Sequence, residues 1–137
     1  MIEFSSQNDF VLDNEEQVER WLKAIAVKES CGIESLGYVF CSDDFLLDIN
    51  KKFLEHDTLT DIVTFDYSEG KTLNGEIYIS TDRVADNAQD FSVPFNTELL
   101  RVIAHGLLHM CGYGDKTADE KKIMRSKEDE CLILWNV

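Results

Sequence analysis

Positive charge is scarce in this sequence. Lysine and arginine together number 13 against 27 aspartates and glutamates, a formal net charge of −14. That speaks against a broad nucleic-acid-binding face, because phosphate contacts are made mainly by basic side chains. It does not exclude nucleic acid as a ligand. A bound metal cation is itself a large local positive charge, and a few lysines can cluster within an acidic remainder. Also missing is any Cys-x-x-Cys pair. The four cysteines, Cys31, Cys41, Cys111 and Cys131, read as reduced, buried thiols of a cytoplasmic protein. No apolar run reaches the length of a membrane span. The opening MIEFSSQNDF is already polar, so no secretory signal or membrane partner is expected. There is one proline, Pro94, and no repeat, linker or low-complexity segment. A single domain over residues 1–137 is therefore expected, and its 44% hydrophobic content is sufficient for a real core.

The apolar pattern alternates between strand and helix periods. Met1 to Ser5 alternates as a first strand. A capping box at Asp13–Glu16 or Asn14–Gln17 opens a helix through Val18, Trp21, Leu22 and Ile25, with Gly32 expected at its end. Leu36 to Cys41 is a second strand. Ser42 caps a helix through Phe45, Ile49 and Phe53, followed by a loop from Glu55 to Thr60 with His56 and Asp57. Ile62 to Tyr67 and Gly75 to Ser80 are strands joined by a short polar turn. Ser80 or Thr81 caps a third helix carrying Val84, Ala88 and Phe91. Pro94 separates it from a fourth helix over Thr97 to Cys111. A capping box at Thr117–Glu120 opens a last helix to about Trp135. The order β-α-β-α-β-β-α-α-α predicts an α/β (α+β) fold. Its sheet is small, mixed and four-stranded, mostly parallel with one antiparallel strand, packed by about five helices.

The fourth helix and its continuation, HGLLHMCGYGD, carry the chemistry. His105 and His109 stand four apart, which places both imidazoles on one helical face one turn apart. Gly112 is the residue that permits a left-handed helix end and a sharp return of the chain. Asp115 lies three residues beyond, where the returning chain faces the histidines. Two imidazoles and a carboxylate are a zinc ligand set with one open position. The helix is otherwise apolar, and Glu98, Arg101, His105 and His109 form one narrow polar stripe. Read blandly, that stripe is a solvent face; lysine, glutamate and glutamine would be the usual residues there. Cys111 lies close enough to be a further ligand, but packing is the favoured reading of it.

These residues resemble the YbeY family of bacterial metal-dependent endoribonucleases that mature ribosomal RNA. The family pattern His-Gly-x-Leu-His-x-x-Gly-Tyr matches from His105 through Tyr113. Upstream, Asn50-x-x-Phe53, Asp57 and Thr60-Asp61-Ile62-Val63-Thr64-Phe65 match a second segment, and Asn74 to Ser80 matches a third. Two positions depart from the pattern: Asp115 replaces a third histidine, and Leu54 replaces an arginine that the family treats as functional. The resemblance implies one YbeY-like hydrolase domain with one zinc ion per chain held by His105, His109 and Asp115. The two histidines would act in catalysis through a water on that metal. Thr60, Asp61, Arg83 and Arg101 are the candidate substrate-binding residues, with one of the two arginines standing in for the missing one. It further implies an RNA substrate, a ribosomal RNA precursor, and partners among small-subunit ribosomal proteins.

Three other readings compete. The spacing His-x-x-x-His-x-x-Gly-x-x-Asp is that of a metzincin protease, but the general-base glutamate after the first histidine is replaced by Gly106. Two histidines and a carboxylate also suit ferrous iron. A ribosome assembly factor with a structural metal fits the acidic charge, yet structural zinc is normally closed by four protein ligands.

Overall fold

The computed structural model describes residues 1–54 and 60–135. Four strands and five helices follow the expected order: β1 (Ile2–Ser6), α1 (Glu15–Lys28), β2 (Gly32–Cys41), α2 (Asp43–Leu54), β3 (Ile62–Asp66), β4 (Thr72–Ser80), α3 (Thr81–Asp90), α4 (Phe95–Met110) and α5 (Ala118–Trp135). The strands lie in the order β1-β2-β4-β3. β1 runs parallel to β2, and β2 parallel to β4. Among the described residues, β3 and β4 are the one antiparallel pair of strands in this sheet. The helical crossovers after β1 and β2 account for the parallel pairs, and the short polar turn for the antiparallel one.

Period-two alternation places Leu36, Tyr38 and Phe40 of β2, with Leu73, Ile77 and Ile79 of β4, in the main core. Each is essentially without solvent exposure, and each fully buried aliphatic side chain contributes about 1.5–3 kcal/mol. The same core takes Leu99, Ile103, Leu107 and Leu108 from α4 and Leu22 and Ile25 from α1. Tyr38 Oη donates to the Ile103 carbonyl at 2.9 Å, pinning α4 to β2, and Trp21 Nε1 donates to the Cys131 carbonyl at 2.8 Å, tying α1 to α5. A separate cluster of Cys41, Leu46 and Val63, with Ile49, Phe65 and Tyr78, packs α2 against the strands.

Glycine decides how closely α4 approaches the sheet. A Cβ on Gly106 would meet Ile62 Cδ1 and Ile77 Cδ1, each at 3.0 Å. The position that lacks the protease base is thus the point where the helix crosses β3 and β4.

Several local expectations are corrected. α1 does not end on a glycine. Its left-handed C′ residue is Ser30 at φ 60°, and Gly32 instead opens β2. The Schellman pair there, Cys31 N–H to Ala26 O and Ser30 N–H to Val27 O, forms without a glycine. Asn14 is the N-cap of α1, but its side chain accepts no backbone N–H, so no capping box closes. The box at Thr117–Glu120 does close: Glu120 N–H donates to Thr117 Oγ1 at 3.1 Å, and Thr117 N–H to Glu120 Oε1 at 3.0 Å. β2 and β4 both begin earlier than their apolar runs, because pairing from Gly32↔Thr72 onward extends them through polar residues. His56, Asp57 and the side chain of Leu54 lie outside the described residues.

Candidate functional site

α4 ends in a Schellman turn at Gly112, which takes φ 112°; Tyr113 N–H donates to Leu108 O and Gly112 N–H to His109 O. The chain reverses there and carries Asp115 back beside the helix. Glu120 holds this return: its Oε1 accepts from the backbone N–H of Lys116 at 3.1 Å and of Thr117 at 3.0 Å. Gly114 is where the clamp touches the loop, since a Cβ there would collide with the Glu120 carboxylate. Asp115 Oδ2 ends 3.3 Å from His105 Nε2.

The other ring nitrogen of His105 is committed. Nδ1 donates to Glu128 Oε2 at 2.7 Å, and Glu128, on α5, is buried. Glu128 Oε1 in turn accepts from Arg101 Nη1 at 3.0 Å, and Arg101 Nη2 donates to Asp129 at 2.8 Å. With its proton on Nδ1, His105 turns an Nε2 lone pair toward a carboxylate oxygen. Two acceptors face each other unless a proton or a cation lies between them. Burial disfavours the imidazolium, but the hydrogen bond and charge of Glu128, with Asp115 and Asp61, outweigh it and raise the His105 pKa.

His105 and Asp115 open onto a cleft of about 340 Å³. Thr60 and Asp61 line one wall at the entry to β3; Glu98 and Arg101 continue the α4 stripe; Asn87 and Phe91 come from α3, and Arg125 and Glu128 from α5. Asn87 Nδ2 donates to Asp61 at 3.4 Å, and Thr60 Oγ1 to the Ile62 carbonyl at 3.3 Å. Burial pushes up the carboxyls of Asp61 and Glu98, and each raises further in the presence of neighbouring acids. Three residues of the stripe, Glu98, Arg101 and His105, therefore line an acidic cleft rather than an open solvent face.

The other expected residues are placed differently. His109 is exposed one turn beyond His105 and does not line the cleft. Among the described residues, no three His, Cys, Asp or Glu side chains are grouped as a ready metal cage. Arg83 also lies off the cleft, paired with Asp43 at 3.2 Å and with Asp86. Cys111 packs against the core at the end of α4, where burial, with Cys31 beside it, raises its thiol pKa. Glu128, Glu98, Asn87, Phe91 and Arg125 were not singled out from sequence. Only Glu98 carried a signal, as part of the polar stripe.

The donor chemistry of His105 and Asp115 fits a metal. Zinc bonds of about 2.0–2.1 Å in a tetrahedron put two ligand atoms about 3.3 Å apart, the spacing seen here. A ligating histidine ordinarily donates its second nitrogen to a carboxylate, as His105 does to Glu128.

A small mixed α/β sheet carries a histidine anchored between carboxylates at the mouth of a polar cleft, a site suited to metal or acid–base chemistry. The family profile described as endoribonuclease YbeY matches residues 2–136. The endoribonuclease YbeY of Flavobacterium johnsoniae is 48% identical over 137 residues, covering 100% of this chain and 99% of the relative. That of Cytophaga hutchinsonii is 50% identical, covering 96% and 92%. A solution structure of a Thermotoga maritima protein superposes with a TM-score of 0.72 at 28% identity, covering 98% of this chain and 89% of the other. The chain belongs to the YbeY family of endoribonucleases.

Proposed function

We propose that this protein is a metal-dependent endoribonuclease that cleaves unpaired segments of RNA in the cytoplasm, with ribosomal RNA precursors as its substrate class and small-subunit ribosomal proteins as its partner class. The observation that carries the reading is the pair His105 Nε2 and Asp115 Oδ2 at 3.3 Å, with His105 Nδ1 anchored on buried Glu128. His105 and Asp115 would hold one zinc ion. His109 is the proposed third ligand, one helical turn of about 5.4 Å along the same face, the step that His-x-x-x-His chelation uses. When bound, such an ion supplies an activated water and positive charge for the phosphoryl oxygens.

The chain's own residues do the rest. Glu128 fixes the His105 tautomer so that Nε2 presents its lone pair to the cleft. Arg101 balances the charge of Glu128. Four carboxylates, Asp61, Glu98, Asp115 and Glu128, line the cleft, and positive charge, whether from a metal or from a cleft arginine, offsets that field for a phosphodiester. Thr60 and Asp61 form the wall against which substrate would lie. Gly106 carries no base and is packed against Ile62 and Ile77, so the protease reading gains no support. Unpaired RNA can bend into the cleft and brings its own 2′-hydroxyl.

Purified protein, never exposed to chelator or metal-affinity resin, should contain about one zinc-like ion per chain by elemental analysis. His105→Ala or His109→Ala should lose it. Asp115→Ala should weaken binding and Asp115→His retain it. Structured RNA should be cut at unpaired segments and casein left intact. Equal RNA cleavage by wild type and by identically purified His109→Ala would refute the nuclease.

A further inference from the structure

Two side chains at the cleft, Phe91 and Arg125, make no hydrogen bond, ion pair or ring contact among the described residues, although the charge of Arg125 acts on the nearby Glu98. Phe91 is a large aromatic residue, 55% exposed, lining the same cleft as His105 and Asp115. It stacks on no aromatic ring among the described residues. It is nevertheless held firmly, because it is the C-cap of α3 in a closed Schellman turn: its own N–H donates to Asn87 O at 2.9 Å, Ser92 N–H to Gln89 O at 3.2 Å, and Val93 N–H to Ala88 O at 3.0 Å. Ser92 takes φ 56° to make that turn, a left-handed conformation costing about 1 kcal/mol for a residue with a Cβ. The backbone thus presents a hydrophobic ring to water from a rigid turn.

Arg125 is the second. It lines the cleft from α5, one helical turn before Glu128. Arg101 is committed to Glu128 and Asp129, and Arg83 to Asp43 and Asp86 outside the cleft. Arg125 makes no hydrogen bond or ion pair to a described residue, and it is exposed. In a chain of net charge −14, it is the cleft guanidinium still available to an anionic ligand. An exposed aromatic face and a free guanidinium beside a phosphodiester site match the two parts of a nucleotide. Base faces stack on aromatic rings without regard to sequence, and guanidinium pairs with phosphate oxygens.

We infer that Phe91 and Arg125 form a nucleotide subsite, in which Phe91 stacks an unpaired base next to the cleaved phosphodiester and Arg125 contacts its phosphate. The inference rests on the nuclease reading for the position of the cleaved bond, but the binding it describes does not depend on a metal. It also provides a physical reason for preferring unpaired RNA, since a base within a duplex has no free face to stack.

The test is binding of a short unstructured oligoribonucleotide carrying a central 2-aminopurine, in chelator so that nothing is cleaved. Wild type should bind it and quench its fluorescence. Phe91→Ala should raise Kd about fivefold to a hundredfold, the range for losing one base–aromatic stack, and abolish the quench. Phe91→Trp should retain both, which a merely structural role would not predict. Arg125→Ala should weaken binding and reduce the slope of log Kd against log salt by about one. Phe91→Leu, which keeps an apolar side chain, controls for fold and should behave as Phe91→Ala. Unchanged Kd and quench in both Phe91→Ala and Arg125→Ala would overturn the subsite while leaving wild-type cleavage, and with it the nuclease, standing. Quenched binding lost in the variants, with no cleavage by metal-loaded wild type, would support the subsite and refute the nuclease. No binding by wild type would overturn the subsite.

Discussion

Replacing Glu128 by glutamine tests whether its buried carboxylate serves the site or only the fold. The side chain is 7% exposed and accepts two hydrogen bonds, from His105 Nδ1 at 2.7 Å and Arg101 Nη1 at 3.0 Å. Glutamine keeps the shape but has one acceptor and one donor. Whichever way the amide turns, its NH₂ meets an N–H of His105 or Arg101. A buried hydrogen bond to a charged group is worth about 1.5–3 kcal/mol. Arg101 keeps Asp129 at 2.8 Å, which offsets part of the loss. The expected destabilisation is about 2 kcal/mol, or a fall in Tm of about 7 °C at the unfolding entropy of a chain this size. The functional consequence is separate. Without a carboxylate on Nδ1, His105 loses its enforced tautomer and part of its basicity, so metal affinity should drop about 10–100-fold. Zinc Kd can be read by competition with a chromophoric chelator at a temperature well below either Tm, and stability by thermal unfolding in chelator. A lowered Tm with unchanged zinc Kd would refute the reasoning, because Glu128 would then be a packing residue and His105 would not need it to bind metal.

Three further outcomes follow from local geometry. Gly75→Ala should destabilise by about 3 kcal/mol, measured by urea unfolding, because its Cβ would strike the Phe65 carbonyl of the paired strand and Met110 Cε at 2.9 Å. Ser30→Gly should stabilise by about 1 kcal/mol, since it relieves a left-handed serine at φ 60°; a fall in Tm would show that the serine side chain contributes something the turn geometry does not reveal. Gly114→Ala should displace the Glu120 carboxylate that clamps the N–H groups of Lys116 and Thr117. It should therefore weaken zinc binding through Asp115 severalfold by the same chelator competition, with a Tm change of only a few degrees.

The sequence alone determined the order and type of the nine elements, because their cues are local. Period-two runs mark β3 and β4, helical spacing marks α1 and α4, and Thr117–Glu120 closes its own box. The return of the chain after α4 was legible for the same reason: only a residue such as Gly112 adopts φ 112° cheaply, and Asp115 follows within reach. The turns at Ser30 and Ser92 were not legible, since serine rarely takes a left-handed conformation and does so here where the chain must turn from α1 into β2 and from α3 into α4.

What lies around His105 was decided by tertiary structure. Glu128 looks in sequence like any of the acids on a charged helix, and nothing near it in the chain marks it as buried. It becomes the partner of a histidine 23 residues away only when α5 packs along α4. The same packing commits Arg101, so an arginine that sequence alone offers to substrate is spent on Glu128 and Asp129. Arg83 is drawn off by Asp43, 40 residues earlier. Asp61 at the entry to β3, Phe91 at the end of α3 and Arg125 on α5 line one cleft, beside an α4 that Gly106 lets sit close against Ile62 and Ile77. Pairings over such distances depend on how whole elements dock, and hydrophobic burial, which drives that docking, is indifferent to which polar side chains it brings together.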